Sequence, residues 1–361
     1  MNKKIFISIL TAIVLMISGV SVFASQDVGA VYAMTNAADG NEIIIFDRNA
    51  QGMLTEIGSV PTGGDGSGGG LDPLGSQSSL VLSQDKRWLL AVNAGSNEIS
   101  VFKVLPEGLS LDDVIGSGGD FPESAAMYHN LVYVLNTGSS PNITGFTLSH
   151  AGELTPITNS TRSLGSGAFA QVGFDPQGGN LVVTDRGEHE ILVFSLEKDG
   201  TPGAAPVTTP SSGLGPFGFI FDERGHLLVA EAGSGAVSSY SILPDGTLQV
   251  ISPSVANGQA ATCWISGNKR GDVFTSNTGS GTISAYKLTA GNGKLVLRDP
   301  TAGSANRPID QAVTVNGRFL YASDPGNGTV HMFRIKRGGG LTDLGAIAAG
   351  LSIFANGIAA R

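Results

Sequence analysis

Three side chains in this sequence could act as a general base: Asp185, Glu231 and His189. A carboxylate or an imidazole can take a proton from water or from a substrate hydroxyl and return it later in the reaction. Gln171 and Asp310 could hold a substrate or a water molecule in the orientation that this proton transfer requires. The other side chains that we expect to reach the same pocket and bind substrate are Gln77, Gln259 and Gln311, with Glu123 beside them.

The same polar side chains also have a structural interpretation. Amide and carboxylate groups at strand ends commonly satisfy backbone N–H and C=O groups that have no partner within a sheet. For His189 we favour an exposed loop position, with a catalytic role as the alternative. The sequence leaves both interpretations open, and a polar funnel exists only if these residues converge in space.

We expect no metal ion and no cofactor. The chain has a single cysteine, Cys263, which excludes internal disulfides and cysteine-based zinc sites. The glycine-rich stretch 63–70 lacks the Gly-Lys-Ser/Thr ending of a phosphate-binding loop, so we interpret it as a flexible connection. Asp39, Asp65 and Asp72 lie near glycines, but no twelve-residue calcium-binding pattern surrounds them.

The composition is that of a glycine-rich folded protein. Glycine supplies 52 of the 361 residues, whereas charged residues make up 14%, well below the usual ~25%. Hydrophobic residues reach 41%, which is enough for a core, and the glycines indicate many tight turns. The formal net charge is −9 and no run of Lys or Arg occurs, so we exclude nucleic acid as a partner.

Residues 1–24 have the pattern of a cleavable signal peptide. Lys3 and Lys4 precede the apolar stretch Ile5–Val22, and Val22-Phe23-Ala24 forms a small-residue cleavage site. A retained membrane anchor is the alternative, because 18 apolar residues approach the ~20 that span a bilayer. We expect residues 25–361 to be secreted or periplasmic after cleavage, with no membrane span. They would not be a lipoprotein, because no cysteine follows the apolar stretch.

A pattern of two hydrophobic runs, joined by a polar anchor residue and a glycine-containing turn, recurs seven times. The anchors are Asn36, Asn93, Asn136, Asp185, Glu231, Asn277 and Asp324. Each repeat has room for four short strands, and about 45 residues per four-stranded unit is typical of a propeller blade. We therefore predict an all-β protein whose residues 25–361 form a seven-bladed β-propeller with four antiparallel strands per blade.

The two ends of this propeller are predicted to meet. The first repeat starts directly with the anchor strand, Ala30–Thr35, and lacks an innermost strand, while an extra hydrophobic segment, Asn356–Ala360, follows the last repeat. Pairing these segments would remove a free sheet edge and close the ring in blade 1. Aromatic residues at matched positions are expected to pack between blades. They are Phe46, Phe102, Phe146, Phe194, Tyr240, Tyr286 and Phe333.

Several segments resemble known propeller families. The segment at 92–102, Val-Asn-Ala-Gly-Ser-Asn-Glu-Ile-Ser-Val-Phe, is similar to YVTN-type surface-layer repeats. Residues 174–178, 215–222 and 316–323 resemble the seven-bladed lactonase family, which includes bacterial 6-phosphogluconolactonase and fungal 3-carboxymuconate cyclase. The resemblance covers nearly all of residues 25–361, but these motifs specify the blades more than the chemistry.

The resemblance implies catalytic histidine and arginine residues at positions where this sequence departs from the family. Phe169-Ala170 stands where active members have Pro-His, Phe217-Gly218 where they have Arg-His, and Pro308-Ile309 where they have Pro-Arg. The family's Asn-Glu pair is replaced by Glu231-Ala232. Asp185 with Gly187 matches the family's Asp-x-Gly. The losses remove a proton carrier and two guanidinium groups that could bind carboxylate or phosphate.

Two functions follow as alternatives. The residue chemistry favours a binding or scaffold module for a small molecule, a glycan or an envelope protein, and we expect a monomer. The family resemblance favours a lactone hydrolase or cycloisomerase with a diverged active site on one face of the propeller. Whether the chain is an enzyme is left open by the sequence.

Overall fold

The structure is a computed structural model that describes residues 28–289 and 291–361. The predicted signal peptide, residues 1–24, lies outside the described residues. Seven antiparallel sheets form a ring in which neighbouring innermost strands contact each other. Within the described ranges, no helix has the length and hydropathy needed to cross a membrane. The predicted seven-bladed β-propeller is confirmed.

The first four blades contain sixteen strands in chain order. Blade 1 begins with β1 (Gly29–Met34), β2 (Glu42–Arg48) and β3 (Leu54–Pro61). Blade 2 contains β4 (Leu80–Leu82), β5 (Trp88–Asn93), β6 (Glu98–Leu105) and β7 (Gly108–Gly116). Blade 3 contains β8 (Pro122–Tyr128), β9 (Leu131–Asn136), β10 (Asn142–Leu148), β11 (Leu154–Pro156) and β12 (Arg162–Ser163). Blade 4 contains β13 (Phe169–Phe174), β14 (Asn180–Asp185), β15 (Glu190–Ser195) and β16 (Val207–Pro210).

The remaining strands follow the same order from the axis outwards. Blade 5 contains β17 (Pro216–Phe221), β18 (His226–Glu231), β19 (Ala236–Ile242) and β20 (Leu248–Ala256). Blade 6 contains β21 (Thr262–Gly267), β22 (Asp272–Asn277), β23 (Thr282–Leu288) and β24 (Leu295–Ser304). Blade 7 contains β25 (Gln311–Val313), β26 (Phe319–Asp324), β27 (Thr329–Ile335) and β28 (Leu341–Ala348). The last strand is β29 (Ile358–Ala360).

Blade 3 departs from the four-strand pattern at its outer edge. Its outermost position is shared by two short strands, β11 and β12, which both pair with β10. The backbone N–H of Ile157 and the hydroxyl of Ser160 bind Gly145 between these two pairings. The outer strand is therefore interrupted, not missing.

The ring closes as the sequence predicts. The strand β29 pairs antiparallel with β1, and Val31 lies opposite Ala360 while Ala33 lies opposite Ile358. The backbone N–H of Met34 also donates to the carbonyl of Gly357 over 3.0 Å. The C-terminal strand thereby becomes the innermost strand of blade 1 and covers the inner edge of β1.

The seven matched aromatic residues are all buried, with at most 1% of their surface exposed. Phe46 of blade 1 belongs to the same hydrophobic cluster as Phe319 and Tyr321 of blade 7. The Tyr321 hydroxyl donates to the carbonyl of Gly52 over 2.9 Å, which adds a polar link between these blades. The predicted packing between blades is thus confirmed at the seam of the ring.

The strand pairing separates two faces of the propeller. Pro216 at the start of β17 lies opposite Glu231 at the end of β18, and Thr262 lies opposite Asn277 in the next blade. The loops that lead into the innermost strands therefore share a face with the anchor residues, and we call it the top face. The bottom face carries the hairpins between the first and second strands of each blade.

Candidate functional site

The centre of the top face is filled by residues 71–79, which we call the plug segment. The backbone N–H of Gln77 donates to Ala170 in blade 4 over 3.1 Å. Its side-chain amide donates to the carbonyl of Ile265 in blade 6 over 3.1 Å, and its Oε1 accepts the N–H of Ile265 over 2.9 Å. Because blades 4 and 6 are not neighbours, the segment crosses the central channel and blocks it.

Apolar side chains seal the plug segment against the blades. Leu71 packs against a buried cluster that contains Phe217, Trp264 and Ile309. The rings of Phe217 and Trp264 meet edge to face with centroids 5.2 Å apart, and the Trp264 indole donates to the carbonyl of Ser76 over 2.9 Å. This face of the channel is therefore a packed core and not an open funnel.

The residues at the family's implied catalytic positions belong to this packed core. Ala170 and Ile309 are fully buried, and Phe217 is 2% exposed. A Cβ atom at Gly218 would overlap the Oε1 of Gln77 and lie 2.9 Å from the carbonyl oxygen of Cys263. A histidine at position 218 would therefore displace the Gln77 side chain from its hydrogen bonds across the channel.

Three carboxyl groups lie around the plug segment. The Oδ1 of Asp72 accepts hydrogen bonds from the N–H of Gly75 and the amide of Asn356, at 3.1 and 2.9 Å. Both carboxylate oxygens of Asp310 accept backbone N–H groups. The Oε2 of Glu123 accepts from the Thr137 hydroxyl over 2.6 Å, whereas its Oε1 is buried without a hydrogen-bond partner.

Burial raises the pKa of all three carboxyl groups because desolvation disfavours their charged form. The pKa of Asp72 is raised to about 7 by burial, although the positive charge of Arg186 and the two hydrogen bonds oppose the shift. Burial also raises the pKa of Asp310 to about 7 and the pKa of Glu123 well above its usual value. These groups therefore hold protons at pH values where an exposed carboxyl is ionised.

Arg186 is the exposed cation at this site. Its guanidinium lies over the ring of Phe217, with Cζ 5.6 Å from the centroid, and it interacts electrostatically with Asp72 and Glu123. The sequence placed Arg186 in the loop after an anchor residue but contained no signal that this loop meets the plug segment. The signal that could have revealed the plug is the 57-residue spacing between Asn36 and Asn93, the longest of the series.

The three predicted general bases lie at the top face, with Asp185 and Glu231 at strand ends and His189 in a loop. Each accepts a hydrogen bond, although the Oε2 of Glu231 is buried without a partner among the described residues. The Oδ1 of Asp185 accepts the N–H groups of Ala168, Gly187 and Glu188. The Nδ1 of exposed His189 accepts the N–H of Gly215 over 3.1 Å. Glu231 is buried, its Oε1 accepts the hydroxyl of Ser211, and burial raises its pKa.

Two of the predicted substrate-binding glutamines join neighbouring blades through backbone atoms. Gln171 donates to the carbonyl of Phe219 and accepts its N–H. Gln311 donates to the carbonyl of Phe274 over 2.7 Å. These two side chains lie at the axis with Gln77 and Asp310, but their polar groups hold the blades together.

Gln259 lies apart from the axis, in the loop before blade 6. Its Oε1 accepts the hydroxyl of Thr282 over 3.0 Å, and its side chain remains half exposed. The predicted pocket residues are thus divided between the channel and the blade corners.

The glycine-rich stretch 63–70 is anchored by hydrogen bonds and leads into the plug segment. Gly66 and Gly68 donate to the carbonyls of Ala37 and Asn36. Asp65 accepts the N–H of Gly95 in the next blade. The stretch therefore differs from the expected flexible connection, since it links blades 1 and 2 through fixed contacts.

The thiol of Cys263 is buried in the packed core, and burial raises its pKa. In residues 28–289 and 291–361 no three His, Cys, Asp or Glu side chains lie close enough together to hold a metal ion. The arrangement beside the plug segment thus offers the exposed guanidinium of Arg186 and buried carboxyls whose pKa is raised.

The three carboxyls predict that the protein is more stable in mild acid than in mild base. In the unfolded chain they lose protons near pH 4, whereas in the folded chain the pKa of Asp72 and that of Asp310 are about 7 and the pKa of Glu123 is raised well above its usual value. The folded state thus binds more protons between these values, and stability falls as the pH rises through them. We expect Tm to drop by roughly 5 °C between pH 5 and pH 8.

The variant Asp72→Asn tests this dependence. Its Oδ1 can still accept from Gly75 and Asn356, but the charge is gone, so the drop in Tm should become smaller. Exposed Asp39, in a top-face loop of blade 1, provides the control variant Asp39→Asn, which should leave the drop unchanged. Differential scanning calorimetry from pH 5 to pH 8 measures both. A drop in the Asp72→Asn protein equal to that of the parent would contradict the prediction.

Known structures share this architecture. A candidate 6-phosphogluconolactonase from Bacteroides fragilis is 18% identical, with 94% of this chain and 99% of the other covered and a TM-score of 0.72. A periplasmic gluconolactonase from Pseudomonas aeruginosa is 16% identical, with 92% and 99% covered and a TM-score of 0.72. A Lactobacillus plantarum protein is 17% identical, with 93% and 99% covered and a TM-score of 0.74. At these identities the likeness establishes the fold.

Among curated protein sequences, none matches this chain. The family described as lactonase, 7-bladed beta-propeller, matches residues 22–168 and 228–349, which together make up most of the sequence. Positions 169–170 and 217–218 lie between the two matched ranges, and positions 308–309 lie inside the second. Because the match extends over well more than half of the chain, the chain belongs to the seven-bladed β-propeller lactonase family.

Proposed function

We propose that this chain is an exported, monomeric propeller that binds a small molecule, a glycan or an envelope protein and does not hydrolyse lactones. The observation that carries the proposal is the packed centre of the top face. Ala170, Phe217 and Ile309 occupy the positions where the family resemblance implies histidine and arginine, and all three are buried. A substrate would have to displace the plug segment to reach them.

The polar residues of the same face support this proposal. The Oδ1 of Asp185 accepts three backbone N–H groups, and the amide of Gln171 is bound to Phe219. A general base needs a free lone pair within reach of a substrate or a water molecule. Removing these groups from their present partners would leave buried backbone atoms unpaired, which costs about 1–3 kcal/mol each.

Lactone hydrolysis remains a second candidate function because of Arg186. Its exposed guanidinium lies near Asp72, whose pKa is raised to about 7 by burial, and near Glu123. In such a reaction the ionised carboxylate of Asp72 or Glu123 takes a proton from water, and the resulting hydroxide attacks the lactone carbonyl. The ring C–O bond then breaks and the leaving oxygen takes up the proton, while Arg186 stabilises the negative charge on the carbonyl oxygen.

A hydrolysis assay separates the two functions. Purified protein lacking residues 1–24 is mixed with gluconolactone, 6-phosphogluconolactone and unsubstituted five- and six-membered lactones, and acid release is followed at constant pH. We expect rates within about twofold of buffer, since the packed top face admits no substrate. Turnover clearly above buffer would contradict the binding proposal.

Matched arginine variants assign any turnover to a face of the propeller. Arg186→Ala should abolish turnover that depends on the second candidate site. Arg224→Ala removes an exposed arginine from a bottom-face hairpin and should leave the turnover unchanged.

A further inference from the structure

The bottom face holds a cavity of about 840 Å³ at the mouth of the central channel. Its lining comes from blades 2 to 7, which places it on the propeller axis. Gln171 lines this cavity, and the adjacent Ala170 binds the plug segment, so the cavity ends below the plug. A concave space of this size is in the range that small-molecule sites occupy.

The walls of the cavity are mainly aromatic and aliphatic. Tyr128 and Phe174 lie with ring centroids 5.8 Å apart, and Phe221 lines the side formed by blade 5. All three side chains are only half-buried, so part of their apolar surface faces the cavity. Exposed apolar surface in a concave site favours a ligand with an apolar body.

Among the charged groups that line the cavity, Asp175 accepts hydrogen bonds from Gly179 and Asn180 and has no ion pair in the described part of the chain. Asp222 accepts from the ring of His226 at 2.7 Å, and Glu223 forms an ion pair with Lys269 at 2.9 Å. Lys86 lines the same cavity, and among the described residues no acidic group lies within ion-pair distance of its ammonium.

Lys86 has a fixed place in the β4–β5 hairpin. Its φ is +63°, and Ser83 accepts its backbone N–H over 3.0 Å, so the turn holds the side chain at the channel mouth. The neighbouring carboxylate of Asp85 instead binds Arg87 and the hydroxyl of Ser83. Within the described ranges the half-buried ammonium therefore has no ion pair at the rim of the cavity, and the counter-charge that acts on it is the nearby carboxylate of Asp85.

We propose that this bottom cavity binds an amphipathic monocarboxylate, such as a medium-chain fatty acid or an arylalkanoic acid. Lys86 forms the ion pair with the carboxylate, and the walls around Tyr128, Phe174 and Phe221 cover the apolar body. The site lies on the face opposite to the family's implied catalytic positions. The inference stands whether or not the top face hydrolyses lactones.

Calorimetric titration with decanoate at pH 7 tests the site. Asn adopts positive φ more readily than most residues, so Lys86→Asn removes the charge without straining the turn. We expect this variant to bind decanoate at least tenfold more weakly than the parent. Arg224→Ala removes an exposed arginine from a bottom-face hairpin outside the cavity lining, and its affinity should stay within twofold of the parent. Binding of uncharged 1-decanol should be equal in the parent and in Lys86→Asn.

A second variant keeps the proposal testable if Lys86→Asn disturbs the folding of the β4–β5 hairpin. Val315 lines the cavity and is 53% exposed, so Val315→Asp should fold normally and weaken decanoate binding at least tenfold by repulsion. Circular dichroism and Tm establish that each variant is folded. The absence of decanoate binding by the parent, or unchanged affinity in folded Lys86→Asn or Val315→Asp protein, would overturn the proposal.

Discussion

Truncation of the chain after Ala355 is expected to abolish the stable folded state. The missing residues include β29, which is the innermost strand of blade 1 and is buried along its whole length. Its loss would expose the edge of β1 to the channel and open the hydrophobic cluster shared by blades 1 and 7. The N–H of Ile358 also binds Asp310, so a buried carboxyl would lose one of its two partners.

Soluble yield and thermal unfolding measure this effect. We expect the truncated protein to be insoluble or to lack a cooperative transition. In the full-length chain, Ile358→Ala keeps the strand but removes buried volume, and should cost about 2–4 kcal/mol. The control Ile353→Ser changes a residue that is 45% exposed just before the strand and should have little effect. A truncated protein with the parent's Tm would refute the role of β29 in ring closure.

Gln77→Ala is the second substitution for which we expect a large effect. Its side chain makes two hydrogen bonds to Ile265 across the channel. The amide N–H donates to the Ile265 carbonyl over 3.1 Å, and the Oε1 accepts the Ile265 N–H over 2.9 Å. Alanine would leave a buried N–H and a buried C=O of Ile265 unpaired, and it would also leave a void in the packed core. Summing about 1–3 kcal/mol for each unpaired group predicts a loss of roughly 2–6 kcal/mol.

The matched control is another glutamine on the same face. Gln259 is half exposed and accepts a single hydroxyl hydrogen bond, so Gln259→Ala should cost less than about 1 kcal/mol. Chemical denaturation of the parent and both variants compares the free energies of unfolding. Equal destabilisation by the two substitutions would mean that the plug segment contributes no more than a surface loop.

The pattern of repeats made the fold predictable, but the same approach could not predict the plug segment. Each blade is built from contacts between consecutive strands, so the local alternation of apolar runs and turns is enough to identify it. Leu71 lies in the extra length of the first connection, which is longer than the others in the series. Whether extra residues lie outside or enter the channel depends on contacts with blades 3, 4 and 6, which are distant in sequence.

The candidate site was only partly predictable for a related reason. The structure places Gln77, Gln171, Asp310 and Gln311 near the axis, in or just before the innermost strands, whereas their predicted role in substrate binding stays a prediction. Register cannot tell whether an amide points towards solvent or binds a neighbouring strand, as Gln171 does with Phe219. Arg186 and Lys86 were not predicted as axial cations, because each lies in a loop whose direction is set by the tertiary packing.

The amino-acid sequence by itself determined the number of blades, the closure of the ring and the face on which each loop lies. These follow from local hydrogen bonding and from a regular period of hydrophobic residues. Only the tertiary structure decided that the plug segment crosses the channel, that Asp72, Glu123 and Asp310 share one buried region, and that Lys86 faces an open cavity. The physical reason is that desolvation and packing depend on every chain segment that meets at the axis.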